Sequence, residues 1–481
     1  MYNLITLRFQ KMWMLHPILV LLFFLIHETN EGNSSEVKYI FVFILIVIII
    51  SLFVLWVNKT WNKNIFVSSY LLSIMLISCL FFRYLIDISG FRITTLCVYI
   101  LIIYLILFLS SKKLTRQYLK LNLFLNILFL LLTTIEFAKF CQFSIKNNKV
   151  MSVVANNNHW SKPNVYFLML DGYAKNRNLK TYWNYNNSNF TNSLKKQGFY
   201  NIEDSHTDYN LTIETVTSMF TSEKVISSAS LSSSAEKQRN ASQLENKLRN
   251  KSVVIKKFQK NGYDFYNFFV TVIDNINSQQ YPFASNSIYK NSIYQVILQG
   301  IGWTNSFFII QSDLDRIEEV RKISKLQINR KQPSFIYFHM MSTHFPFCLN
   351  EKQEFVFYEN PKIFGEYIMS LTENIKFHMN VESKKDFMIW RYRYINHLIK
   401  INQLVIPLIE FIRKSDPNAI LVVASDHGSR ILCDVGFDEA RKESFENISY
   451  VYFPDKDYSK LSQIMTPTDL MKVVQMKCIG Q

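Results

Sequence analysis

The sequence predicts an α-helical transmembrane domain followed by an α/β domain, whose mostly parallel central sheet carries helices on both faces. Three observations lead there. Apolar residues crowd into the first 140 positions as five separate runs. Beyond residue 163, three short continuous apolar runs each stop on a side chain able to bind a metal. Between those runs lie stretches of helical period, and strands alternating with helices argue for a parallel sheet covered on both sides.

The five apolar runs are residues 17–26, 39–57, 65–82, 93–110 and 121–137. The last four approach the roughly 20 apolar residues a bilayer-crossing helix needs, and the first does so only with residues 12–15 included. Together they predict about five helices over residues 1–138. A cleaved signal peptide competes for the first run, but His27, Glu28, Thr29 and Asn30 follow where a small-residue cleavage site would stand, so the segment is expected to stay attached.

Orientation follows from the loops. Arg8 and Lys11, Lys59 and Lys63, and Lys112, Lys113, Arg116 and Lys120 flank the spans on one side. The intervening loops are acidic or balanced, with Glu28, Glu31, Glu36 and Lys38 in one and Arg83, Asp87 and Arg92 in the other. Basic loops stay in the cytoplasm, so the N-terminus is expected there and everything from Lys139 onward outside. The net charge of +16 is dispersed and belongs to no nucleic-acid module, so anionic lipid head groups are its expected neighbours and nucleic acid is not a partner. Cys79 and Cys97 fall in spans, and Cys141, Cys348, Cys433 and Cys478 lack the Cys-x-x-Cys spacing of a zinc or redox motif. A disulfide among those four stays open, because the outer compartment is oxidising.

Residues 139–162 form a polar, asparagine-rich juxtamembrane linker, and residues 163–481 the extracytoplasmic domain. A strand at 165–170 ends on Asp171-Gly172. A second at 334–338 ends on His339, and a third, beginning at Ala419, runs into Ser425, Asp426, His427 and Gly428. Helical patterns cover 189–197 and 392–413; residues 253–269, with Gly262 inside, read as a helix and a strand; 225–252 is a polar surface excursion, helical over 235–248. Ligands of such sheets gather beyond the carboxyl ends of the strands. Asp171, His339, Asp426 and His427 are therefore expected at one edge.

Taken alone, Asp426-His427 is equally a polar turn with a capping aspartate. Together with a hydroxyl, however, carboxylates and imidazoles suit a divalent cation such as zinc or manganese, which lowers the pKa of a bound hydroxyl until it can act as a nucleophile. Residues 209–220 offer Thr212, Thr215, Thr217 and Ser218, and a threonine opening a helix sits where an anion also binds. Such a threonine can also be no more than a cap. Glu214 stands beside it, an acid that would repel an anionic substrate if it pointed inward.

These segments resemble the membrane-bound sulfatase-like proteins of the alkaline phosphatase superfamily, which include phosphoethanolamine transferases and lipoteichoic acid synthases. The resemblance rests on Asp171-Gly172-Tyr173, Asn187-Ser188, Phe190 and Gly198-Phe199-Tyr200, then on Thr212, Thr215, Ser218, Met219 and Phe220. It continues through His339 and His344 with Pro346-Phe347, Ser425 to Arg430, and Thr466-Pro467-Thr468-Asp469, in family order over about residues 163 to 475. It implies that Asp171, Thr212, Asp426 and His427 bind one divalent cation, zinc or manganese, with Thr212 as nucleophile and Thr215 as the second candidate. His344, with His339, would contact the phosphate or protonate the leaving group; His339 is alternatively a hydrogen-bonded support behind the ligands. The Cys-x-Pro-x-Arg segment that sulfatases convert into their nucleophile is missing, which disfavours sulfate-ester hydrolysis.

The function so implied is that of a metal-dependent phosphotransferase in a bacterial inner or plasma membrane. It would move phosphoethanolamine or phosphoglycerol from a membrane phospholipid donor, through a covalent phosphothreonine, to a cell-envelope glycan or lipopolysaccharide acceptor. The alternatives are a phosphodiesterase or phosphatase with water as acceptor, and a non-catalytic membrane scaffold.

Overall fold

The computed structural model describes residues 15–31, 65–80, 102, 115–150, 162–274, 278–280, 306–327, 332–344, 347, 349–354, 381–431 and 438–480. The chain divides into two units, residues 1–153 with 284–299, and residues 154–283 with 300–481.

In the first unit, α1 (His16–Glu31), α2 (Ile65–Leu80) and α3 (Thr115–Val150) pack against one another. Phe23 meets Phe129 edge to face at 6.1 Å. Buried His16 ties the three helices together, with Nδ1 2.5 Å from Ser73 Oγ and Nε2 2.8 Å from Asn122 Oδ1. Phe124, Ile127, Leu130, Leu131 and Phe137 of α3 are more than half exposed. Within α3, Leu121–Lys139 spans 19 residues and is apolar enough to cross a membrane. The helix runs on to Val150 through the first part of the polar stretch 139–162, because no glycine or proline interrupts residues 115–150. The expected spans 39–57 and 93–110 lie outside the described residues, apart from Ile102.

The second unit is built on a seven-stranded sheet of order β2-β7-β6-β1-β5-β3-β4. The strands are β1 (Val165–Leu170), β2 (Tyr200–Asn201), β3 (Asp264–Phe268), β4 (Ser278–Gln280), β5 (Ser334–Met340), β6 (Ile420–Ser425) and β7 (Ser449–Tyr452). The centre is parallel, β1 pairing with β5 and β6 and β3 with β4 and β5, while β7 and β2 close one edge antiparallel. This is the expected α/β architecture. Strands β1, β5 and β6 are buried at every position, which their unbroken apolar sequences require when both faces are covered.

Alternation along β1 divides the core. Tyr166, Leu168 and Leu170 face α4 (Asn176–Trp183), α5 (Ser188–Lys196), α9 (Ser306–Gln327) and α10 (Val381–Ser415). Val165, Phe167 and Met169 face α6 (Thr212–Thr221), α7 (Ser234–Lys251), α8 (Val253–Lys260) and α11 (Pro467–Ile479). Each large side chain so buried is worth roughly 1.5–3 kcal/mol, so a one-residue slip, which exchanges the faces, is strongly opposed. Helix α10 also contains an apolar stretch long enough for a membrane, Met388–Ser415, but Leu398, Ile401, Val405, Leu408 and Ile412 bury it in the sheet's core. Cys478, in α11, is a buried free thiol.

Candidate metal and nucleophile site

Register fixes the site before any side chain is considered. Met169 of β1 lies beside His339 of β5, and Leu170 beside Ser425 of β6, so Asp171 and Asp426 occupy the next rung together. Asp171, two residues beyond Met169, projects to the same face as Met169 and His339. That face is the one covered by α6, whose first residue is Thr212.

Five donor atoms from these elements form a closed ring. Thr212 Oγ1 donates to Asp171 Oδ2 at 3.0 Å; Asp171 Oδ2 is 3.4 Å from His339 Nε2, which is 3.8 Å from Asp426 Oδ2. Asp426 Oδ2 is 3.4 Å from His427 Nε2, and this nitrogen returns to Thr212 Oγ1 at 3.3 Å. Neighbouring ligands of one zinc-sized ion stand about 3.4 Å apart, so the ring matches a divalent cation's donor shell. Asp171, His339 and Asp426 alone place their donor atoms within 4.8 Å of one another, all three buried.

Each member is aimed by its other contacts. Asp426 Oδ1 accepts the N–H groups of Gly172 (3.0 Å) and His427 (2.9 Å), which turns Oδ2 into the ring. His427 Nδ1 lies 2.7 Å from the Gly428 carbonyl oxygen; since a carbonyl only accepts, Nδ1 carries the proton, and a neutral ring keeps Nε2 free to ligate. His339 stacks on Phe269, centroids 4.5 Å apart, and its Nδ1 meets Tyr337 Oη at 2.9 Å. Burial holds the Tyr337 phenol well above its ordinary pKa, so it stays protonated. His339 Nε2 and Asp426 Oδ2 are buried with no hydrogen-bond partner, an arrangement that is costly without a cation between them.

Burial alone would raise the Asp171 carboxyl, but His344, His339 and His427 around it hold it well below the usual carboxylate range. It therefore stays ionised. Thr212 is half-buried at the first turn of α6, where the helix end favours negative charge. Leu211, extended at φ −121°, starts the helix there.

The site's backbone crossings demand glycine. Gly172 turns the chain after β1 at φ +58°, a conformation that favours glycine. At Gly428 a Cβ would sit 1.9 Å from the Glu443 carbonyl oxygen.

The Sulfatase family matches residues 163–471 of this sequence. The chain belongs to the sulfatase family. This sulfatase-like enzyme is structurally similar to the C-terminal periplasmic domain of EcEptC from Escherichia coli in complex with Zn, at 13% identity over 68% of this chain and 85% of that one, TM-score 0.40. The C-terminal periplasmic domain of phosphoethanolamine transferase EptC from Campylobacter jejuni matches at 12% identity, 67% of this chain and 91% of that one, TM-score 0.39. The lipoteichoic acid synthase LtaP from Listeria monocytogenes matches at 14% identity, covering 70% and 78%, TM-score 0.39. No curated protein matches.

In this sulfatase-family site Asp171, Thr212, His339, Asp426 and His427 come together. His339 lies inside the ring between the two carboxylates, while His344 is exposed on the turn after β5. Thr215 points elsewhere, its Oγ1 bound to Thr207 Oγ1 and the Tyr209 carbonyl. Glu214 also turns away: fully buried, it accepts from Ser227 Oγ and Ser228 N and so pins the 222–233 loop to α6. Sequence reasoning did not single out Tyr337 or Phe269. Tyr337 was within reach, two residues before His339 on the same strand face; Phe269 comes from a distant segment that carries no local signal.

Proposed function

We propose that this enzyme is a membrane-anchored, metal-dependent phosphotransferase with Thr212 as its nucleophile. The observation that carries this is the ring: one accessible hydroxyl, held at 3.0 Å by Asp171 and 3.3 Å by His427, at the start of a helix. Asp171, Asp426 and His427, with Thr212 itself and His339 beside them, would hold a zinc or manganese ion. When bound, the cation supplies the positive charge that lets the threonine hydroxyl lose its proton near neutral pH.

With its proton already released to solvent, Thr212 Oγ1 forms a bond to the donor's phosphorus as the bond to the diacylglycerol oxygen breaks, and His344 gives that oxygen its proton. An acceptor hydroxyl then returns a proton to His344 and takes the phosphoryl group from Thr212. Thr215 has its hydroxyl engaged elsewhere, and no cysteine of the chain stands in a Cys-x-Pro-x-Arg segment, both of which favour phosphoryl transfer through Thr212. About five spans over residues 1–138, a linker to 162 and an extracytoplasmic domain from 163 would set the site beside its lipid donor. The exposed apolar face of α3 supports that anchoring. Phosphatidylethanolamine or phosphatidylglycerol is the donor we favour, and an envelope glycan or lipopolysaccharide the acceptor.

The test supplies each lipid, fluorescent in its tail, to the full-length protein in detergent with lipopolysaccharide present. Fluorescent diacylglycerol should form with the head group appearing on the acceptor, and Thr212→Ala should form none. Head group released only to water would favour a phosphodiesterase; an active Thr212→Ala protein would refute the nucleophile.

A further inference from the structure

The turn that carries His344 is held from outside the ring. His344 N donates to the Met341 carbonyl at 2.8 Å, closing the turn. Ser342 N and Oγ both donate to Asp313 Oδ2, at 2.8 and 2.7 Å, and the Ser342 carbonyl accepts from His397 Nδ1 at 2.5 Å. Thr343 Oγ1 donates to the Asp171 carbonyl oxygen, which joins the turn to β1. Asp313 belongs to α9 and His397 to α10, both on the sheet face opposite α6.

Asp313 is an expensive residue to place there. It is fully buried, with Arg316, also buried, at 3.9 Å. Burial pushes its carboxyl up to about 6, against the pull of Arg316 and the Ser342 donors. Covering the strand needs only an apolar side chain, whereas a buried carboxylate is tolerated when specific donors hold it. Here the two hydrogen bonds to Oδ2 come from Ser342, two residues before His344, and the backbone of Met341, at the start of the same turn, adds to their pull.

We propose, resting on the role given to His344 above, that Asp313 is a positioning residue: through Ser342 it fixes the turn so that the His344 imidazole reaches the leaving oxygen. His397 steadies the same turn from its carbonyl side. Asp313 touches no reacting atom, and its effect passes entirely through His344.

A double-mutant cycle on the full-length protein in detergent tests this, with kcat and KM measured on whichever of fluorescent phosphatidylethanolamine or phosphatidylglycerol is turned over. Asp313→Ala should lower kcat roughly ten- to a hundred-fold with KM little changed, the cost of misplacing a catalytic group by about 1 Å. Asp313→Asn, which keeps an acceptor oxygen for Ser342 N–H, should recover most of the rate. In a His344→Ala background Asp313→Ala should add nothing. The same loss in both backgrounds would overturn the proposal and leave Asp313 a packing anchor. A fully active His344→Ala protein would instead refute the role of His344 and, with it, this inference. Should Asp313→Ala not fold, Ser342→Ala removes only the hydroxyl contact; a ~3-fold fall in kcat confined to protein bearing His344 supports the proposal, and an equal fall in both backgrounds overturns it.

Discussion

Replacing Gly428 with alanine should damage stability and activity together, for one geometric reason. The added Cβ would lie 1.9 Å from the Glu443 carbonyl oxygen, 2.6 Å from that of Glu446 and 3.0 Å from the Glu443 carbonyl carbon. All three are backbone atoms, so no side chain can swing aside. Ordinary contact begins near 3.4 Å, so the two segments must part by about 1.5 Å. Overpacking of this kind costs about 1–3 kcal/mol, and strain on the 3.0 Å bond from Gly428 N to the Ser444 carbonyl adds about 1 kcal/mol. For a domain of this size, ~3 kcal/mol lowers Tm by roughly 4–5 °C. Activity should fall further than stability, because the Gly428 carbonyl orients His427, and a displacement near 1 Å at the ring costs on the order of a hundredfold in rate. Thermal unfolding of the full-length protein in detergent, followed by turnover at a temperature where the variant is folded, gives both numbers. A variant with the wild-type Tm and rate would refute the reasoning.

Three further outcomes are expected. Removing divalent ions with a chelator should abolish turnover, zinc or manganese should restore it, and Asp426→Asn should lower metal content measured by mass spectrometry; full activity in chelator would refute the metal assignment. Burial pushes Glu443 up to about 8, with Glu446 adding to the rise and Trp183 Nε1 and Arg391 opposing it. The folded protein therefore keeps a proton that the unfolded chain releases from about pH 4.5 upward, so this group's stabilising contribution is present below that pH and is lost as pH rises toward 8. Glu443→Gln should flatten the decline of Tm across this window, and an unchanged slope would contradict it. Glu214→Ala should cost about 1–3 kcal/mol by leaving Ser228 N–H without its acceptor, and should speed proteolysis in residues 222–233; unaltered cleavage there would contradict the pinning role.

The catalytic half of the molecule was legible where local pattern and geometry coincide. β1, β5 and β6 announce themselves as unbroken apolar runs, and the polar residue ending each run lies at the ring because strand register leaves it nowhere else to go. Thr212 could be found but not separated from Thr215 by sequence, since both fit a helix start. Only the helix's rotation over the sheet turns one hydroxyl to Asp171 and the other to Thr207. Likewise, no spacing shows that Glu214 bends away from the ring, because its partners Ser227 and Ser228 lie in a loop whose path is set by tertiary packing. Helix α10 reads as 392–413 from its periodicity but begins at Val381: residues 382–386 are polar, and the four consecutive apolar residues 387–390 show no helical period of their own. Asp313 and His397 were silent for a related reason: each looks like an ordinary helix residue until the Ser342 turn is packed against it.

The central claim is that Thr212 carries the phosphoryl group between donor and acceptor. Full-length enzyme exposed to phosphatidylethanolamine or phosphatidylglycerol without acceptor, quenched in acid and digested, should yield a peptide covering residues 212–224 with the head-group phosphoryl on Thr212, and the adduct should disappear when lipopolysaccharide is added before quenching. Turnover of either lipid with Thr212 unmodified, or with the adduct on Thr215, would contradict the account.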